Sequence, residues 1–249
     1  MADLTREELV YLAKIQEDAE LFKDMIETVK KIVECGDKLN DEERNLLSIA
    51  YKNVTGNLRN AWRVLNGVEV RERTKGHDKQ ANFLAPEAKK IVDELTRYNK
   101  EVIDMLNTKL IPGAESPECQ VFYLKMLGDY WRYTAECLEG TERQEAASNA
   151  QDAYSRGATA CSTLPATNSV ALGLALNRSV FSYEILNSTD EAVTIARTAF
   201  DAAVARLDSL SDDSYKDATM ILQLLRDNLG MWLGDAGEEN GDEADEDAE

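Results

Sequence analysis

The sequence predicts an all-α protein of about nine antiparallel helices, and three observations carry that prediction. Apolar residues recur at steps of three and four through most of the chain, the period of one buried helical face. No segment sustains the period-two alternation of a half-buried strand. Only four prolines interrupt 249 residues, and turn chemistry is confined to short breaks, which suits antiparallel neighbours joined by short loops.

In chain order, Leu9, Leu12, Ile15, Ala19, Phe22, Met25, Val29 and Ile32 form the first stripe and read as one buried face. Asn40-Asp41 with Glu43 following marks a helix start, because an acceptor before the first turn and an acid three residues on satisfy orphan amides. Residues 46–64 carry the next stripe. The most polar internal stretch, KGHDKQANFLA at 75–85, is predicted to be a flexible loop. A stripe at 91–110 ends where Pro112-Gly113 and Pro117 bracket a turn. Further stripes occupy 121–138, 170–186 and 218–232, with Pro165 ending the helix between the first two. Residues 187–190 and 209–214 supply N-cap candidates. The expected organisation is a single helical domain over 1–234. A tail at 235–249, acidic and without a base, cannot bury enough apolar surface to offset its ordering entropy and is expected to be disordered. It solubilises the chain or acts as an acidic arm competing for a cationic site.

A hydrophobic content of 43% supports a full core, while a net charge of −19 argues against nucleic acid and anionic membrane as partners. The opening residues carry charges every few positions and do not read as a signal peptide. No apolar run has bilayer length. Cys35, Cys119, Cys137 and Cys161 are widely spaced and read as reduced thiols. These features predict a cytoplasmic protein, with nuclear access open.

Nothing in the chain nominates a catalytic residue. The one histidine, His77, has no nucleophile near it in sequence, and no phosphate-loop, zinc-protease or nucleophile-elbow motif is present. Cysteine and histidine are too sparse for a zinc site, and no cofactor motif occurs. The chain reads as a binder rather than an enzyme.

Lys52, Arg59 and Arg63 are separated by seven and four residues, which returns a helix to nearly the same azimuth. A stripe of cations in an acidic protein can select an anion locally while repelling polyanions. Farther on, Arg132 and Tyr133 sit among aromatics, seven residues after Lys125. Asn177 shares a face with Val180 and Glu184, and Asn228 shares one with Ile221, Leu224 and Trp232. A side-chain amide on an apolar face needs partners, and a peptide main chain supplies both a donor and an acceptor. The competing reading is that Arg59 and Arg132 are salt-bridged to neighbours such as Asp129 and Glu136.

The segments carrying these residues resemble the 14-3-3 family. RNLLSIAYKNVTGNLRNAWR, VFYLKMLGDYWRY, LGLALNRSVFSYEILNS and YKDATMILQLLRDNLGMW are similar to its long signatures, and the resemblance covers about residues 4–234. It implies nine antiparallel helices forming one arm of a cup-shaped dimer, with a groove for an extended phosphoserine or phosphothreonine peptide. Arg-cluster reading of phosphorylated motifs is an established property of that family and enters through the resemblance alone. By the same resemblance, Lys52, Arg59, Arg132 and Tyr133 match a phosphate pocket and Lys125 a supporting lysine. Asn177 and Asn228 match main-chain clamps, and Glu184 and Trp232 match accessory contacts. Leu176, Val180, Ile221 and Leu224 match the apolar wall. The partners so implied are phosphorylated client proteins and a second subunit, identical or related. The alternative is a phosphorylation-independent helical scaffold for acidic or carboxylate-ended peptides.

Several positions depart from the family pattern. Leu127 stands where many members carry a groove-side lysine, which implies a weaker field there. Leu58 replaces an arginine expected on an outer face. At the dimer seam, Leu21 replaces an arginine that pairs with an acid matching Glu94 on the partner, and Glu87 replaces a packing tyrosine. Ala61 replaces a serine whose phosphorylation splits some family dimers. These changes imply a seam that is weaker or more selective, since exposed ion pairs contribute about 0–1 kcal/mol each.

Overall fold

The computed structural model describes residues 4–36 and 38–242, with only the backbone of Ser209 and of 235–242. Nine α-helices follow one another among these residues. They are α1 (Arg6–Asp18), α2 (Phe22–Glu34), α3 (Asp41–Thr74), α4 (Asp78–Met105), α5 (Pro117–Cys137), α6 (Gly140–Ala160), α7 (Ser169–Glu184), α8 (Thr189–Val204) and α9 (Asp212–Asp242). A π-helical turn at Leu106–Leu110 continues α4, and short 3-10 turns follow α6 and α8. No described residue is in a strand, so the all-α expectation holds. The chain divides into two compact units, Met1–Ala114 with Cys137–Arg143, and Glu115–Glu136 with Gln144–Glu249.

In the first unit, capping chemistry sets the helix starts. Thr5 Oγ1 accepts from Glu8 N at 3.3 Å, and Glu8 Oε2 accepts from Thr5 N at 2.8 Å. Asn40 and Glu43 repeat this reciprocal pair with both bonds at 2.9 Å. Losing such a cap costs about 1 kcal/mol. Consecutive helices α1 to α4 pack as neighbours around Leu9, Met25, Ile26, Leu47, Tyr51 and Leu95. Three acids then stitch them together. Glu43 accepts from Arg6 Nε and Nη2, each at 2.7 Å, joining α3 to α1. Glu94 accepts from Lys23 at 2.8 Å, joining α4 to α2. Glu101 accepts from Tyr51 Oη at 2.6 Å and lies 3.3 Å from Lys30 Nζ, joining α4 to α3 and α2.

Two expectations are corrected in this unit. The stripe from Leu9 to Ile32 is split between α1 and α2 rather than lying on one continuous face, and Ile15 is exposed. The break is a Schellman turn: Leu21 N donates to Gln16 O at 2.8 Å, and Glu20 N donates to Glu17 O at 2.9 Å. Its left-handed residue is Glu20, at φ 56°, where glycine is usual. The sequence therefore carried no punctuation there. The stretch 75–85 is not a loop: Lys75, Gly76 and His77 make a second Schellman turn, with Gly76 at φ 76°, and α4 begins at Asp78. His77 is tied there to Glu72 across 2.8 Å.

In the second unit, α5, α6 and α7 close over Val121, Ala135, Ala150, Tyr154, Leu174 and Phe181. The other side of α7 packs with α8 and α9 around Leu172, Ala192, Ala196, Leu222, Leu225 and Trp232. Gly128 permits a close approach of α6 to α5, because a Cβ there would lie 2.5 Å from the Tyr154 ring. The expected tail falls at the end of α9, whose backbone continues to Asp242; residues 243–249 lie outside the described residues.

Candidate functional site

Helical spacing brings Lys125, Asp129 and Arg132 onto one side of α5, at steps of four and three. Asp129 is the hub. Its carboxylate accepts from Lys125 Nζ at 2.8 Å, from Tyr154 Oη at 2.6 Å, and from Asn177 Nδ2 at 2.8 and 2.9 Å. Arg132 Nη2 lies 3.8 Å from the same carboxylate, and Arg132 Nε donates to Tyr154 Oη at 3.2 Å. The Arg132 guanidinium sits 4.8 Å from the centroid of the Tyr133 ring. Three helices, α5, α6 and α7, thus meet at one buried acid.

The electrostatics follow from this geometry. Burial pushes the Asp129 carboxyl up, but Lys125 and Arg132 more than offset it and hold the group below its ordinary value. Burial works against the Arg132 charge, yet Tyr154, Tyr133 and Asp129 raise its pKa above the usual arginine value. Burial and the Asp129 charge push the Tyr154 hydroxyl well above the ordinary tyrosine value, so it stays protonated and donates. Arg132 therefore keeps its charge, and hydrogen bonds and ion pairs fix the positions of both cations beside Asp129. Glu184 is the more exposed member: its side chain is 44% exposed and its carboxylate lies 3.7 Å from Arg132 Nη1.

The second unit therefore groups Lys125, Arg132, Tyr133, Asn177 and Glu184. Of the suggested salt-bridge partners for Arg132, Asp129 is one at ion-pair distance. The amide donor of Asn177 is spent on Asp129. Leu176, Val180 and Ile221 are half-buried against the α7–α8–α9 core, and Leu224 is 49% exposed. Asn228 is half-buried on α9. Trp232, expected as an accessory contact, is 1% exposed and stacks on Tyr183 with ring centroids 5.1 Å apart. Its Nε1 is buried without a hydrogen-bond partner.

The first unit carries the other cations on α3, with Lys52 and Arg63 exposed and Arg59 half-buried. At the seam positions, Leu21 and Glu87 are exposed and Ala61 is half-buried. Glu87 pairs with Lys90 at 2.6 Å, and Glu94 is engaged by Lys23 of its own chain. Two departures are relocated by burial. Leu58 is a core residue rather than an outer one, and Leu127 is 3% exposed, so a lysine there would be buried.

Sequence reasoning did not nominate Tyr154 or Gly128. Tyr154 lies 25 residues from its hydrogen-bond acceptor Asp129, beyond any local spacing rule. Asp129 had a legible signal, being four residues from Lys125 and three before Arg132.

A sequence model of the 14-3-3 protein family matches residues 12–233. The chain is 47% identical to 14-3-3-like protein B of Hordeum vulgare over 245 residues, 97% of this chain and 94% of the relative. It is also 47% identical to 14-3-3 protein beta/alpha-B of Xenopus laevis over 243 residues, 97% of this chain and 98% of the relative. Among the described residues no helix is long and apolar enough to cross a membrane.

Proposed function

The chain belongs to the 14-3-3 protein family, and on that premise we propose that it is a phosphoserine- and phosphothreonine-dependent adaptor without enzymatic activity. Residues 1–234 act as one binding domain for phosphorylated peptide motifs of client proteins. Lys52, Arg59, Arg132 and Tyr133 read the phosphoryl group, with Lys125 in support. Asn177, through its amide oxygen, and Asn228 bind the peptide main chain, and Leu176, Val180, Ile221 and Leu224 bind its apolar side chains. The observation that carries this reading is the fixed Arg132: a buried guanidinium whose partners on three sides already hold it in one orientation.

The chemistry favours phosphate over a carboxylate. A phosphoryl group brings about −1.5 to −2 charges and three acceptor oxygens. Each charge-assisted bond is worth about 1.5–3 kcal/mol net. Glutamate offers one charge and two oxygens, too little to displace the resident Glu184 with the same gain. The apolar wall adds area with little sequence demand, which suits a reader of many clients.

The protein acts in the cytoplasm as a homo- or heterodimer. The first unit exposes Tyr11 by 68% and Phe83 by 77%, apolar surface that a second subunit would cover. Glu94 is held by Lys23 in its own chain, so the seam rests on apolar contact more than on that acid. A bivalent client then gains affinity through effective concentration.

Fluorescence anisotropy with a labelled phosphopeptide and its unphosphorylated twin tests the reading. Binding of the phosphorylated form alone supports it. Equal affinities would instead favour the scaffold for acidic or carboxylate-ended peptides.

A further inference from the structure

A cavity of about 760 Å³ opens in the second unit between the end of α6, α7 and α8, and it shares no residue with the Asp129 cluster. It exists because facing side chains are too short to fill it: Ala158, Ala171, Ala175, Ala199 and Ala202 all line it. Its floor is apolar, with Leu172 and Leu174 buried beneath it. A volume in the range of about 300–1,000 Å³ suits a small organic ligand.

The polar lining is one-sided. Acids outnumber bases 47 to 28 in the chain, yet the cavity is lined by Arg178 and Arg206 and by no carboxylate. Arg206 is exposed at the rim and already has a partner. Arg178 is half-buried and has no acidic partner among the described residues. It follows Asn177 by one helical step of about 100°, which turns it away from the Asp129 face. A partly desolvated guanidinium beside an apolar hollow is complementary to one anionic group on an apolar body.

We propose that this cavity binds a small amphipathic carboxylate of the medium-chain fatty acid class, its chain on Leu172 and Leu174 and its carboxylate on Arg178. One available guanidinium matches a monoanion and a planar two-oxygen acceptor. Cys161 also lines the cavity, half-buried and with its thiol pushed up by that burial, and so reports on occupancy.

The test uses the full chain, decanoate below its micellar concentration, and decanol as the uncharged twin. Alkylation of Cys161 by N-ethylmaleimide is followed by peptide mass spectrometry, with exposed Cys35 as internal reference. Decanoate should slow Cys161 alkylation severalfold and leave Cys35 unchanged. R178Q should raise the decanoate concentration needed for protection at least about tenfold without altering the weaker effect of decanol, and circular dichroism checks its fold. Ala199→Leu, which fills the cavity, should abolish protection by both. Unchanged Cys161 reactivity in decanoate, or equal protection in R178Q, overturns the proposal. Neither outcome bears on phosphopeptide binding, which uses other residues.

Discussion

The cations of α3 and those of α5 are the same residue types held under opposite conditions. On α3, Lys52 and Arg63 are exposed, so solvent and salt screen their charge. On α5, Lys125 and Arg132 close on Asp129 inside a packed unit, and Tyr154 and Asn177 complete the carboxylate's hydrogen bonds. The α3 cations are suited to attracting an anion from a distance. The α5 cations are suited to binding it in one geometry, since their ordering cost is met on folding. The difference lies in the buried counter-charge rather than in the cations.

Removing that counter-charge should have the largest effect. Asp129→Ala strands two buried or half-buried cations and is expected to destabilise the fold by about 3–5 kcal/mol, read as a lower urea midpoint. An unchanged midpoint would mean that Asp129 organises nothing. Arg132→Ala should weaken phosphopeptide binding by about 2–4 kcal/mol in anisotropy titrations. Arg59→Ala falls in the same range if both cations touch the phosphoryl group. Tight binding retained in the double variant would place recognition elsewhere.

Gly128→Ala tests the close approach of α6 to α5. The added methyl group must displace the Tyr154 ring, and overpacking of this kind costs about 1–3 kcal/mol, measured by thermal unfolding. A change of under a few tenths would show that Tyr154 moves aside freely.

Acid sharpens the comparison further. Folded Asp129 titrates below its unfolded value of about 3.9, because Lys125 and Arg132 outweigh its burial. Its contribution is therefore fully present above that pH and is lost as pH falls through the folded pKa. Glu43 in the first unit behaves alike, with Arg6 and the Asn40 amide outweighing burial. Stability should stay level with respect to these two groups down to about pH 5 and fall below pH 4. Asp129→Asn should remove part of that fall, and an identical acid limb in this variant would discount the carboxylate. The smallest effect is expected at Lys52→Gln: stability should change by less than about 0.5 kcal/mol, while the salt dependence of phosphopeptide association becomes shallower. A salt dependence as steep as the original would remove Lys52 from any steering role.

The two Schellman turns make a second contrast. Gly76 announces its turn in the sequence, whereas Glu20 adopts the same left-handed conformation without any such signal. A glutamate there costs about 1 kcal/mol or more in backbone energy, and packing of α2 against α1 and α3 offsets it. Glycine supplies a local signal at one of these helix ends, and nothing in the sequence supplies one at the other.

Period and composition by themselves determined the all-α class, the start at Asn40, the cation stripe of α3 and the absence of catalytic motifs, because each is a local property of spacing and residue type. Tertiary structure decided what no local rule reaches. Asp129 became a hub because Tyr154 and Asn177 arrive from other helices, Trp232 went into the core because Tyr183 stacks on it, and Leu58 and Leu127 turned inward. The physical reason is common to all of these: burial and hydrogen-bond satisfaction depend on what the rest of the chain brings to a residue.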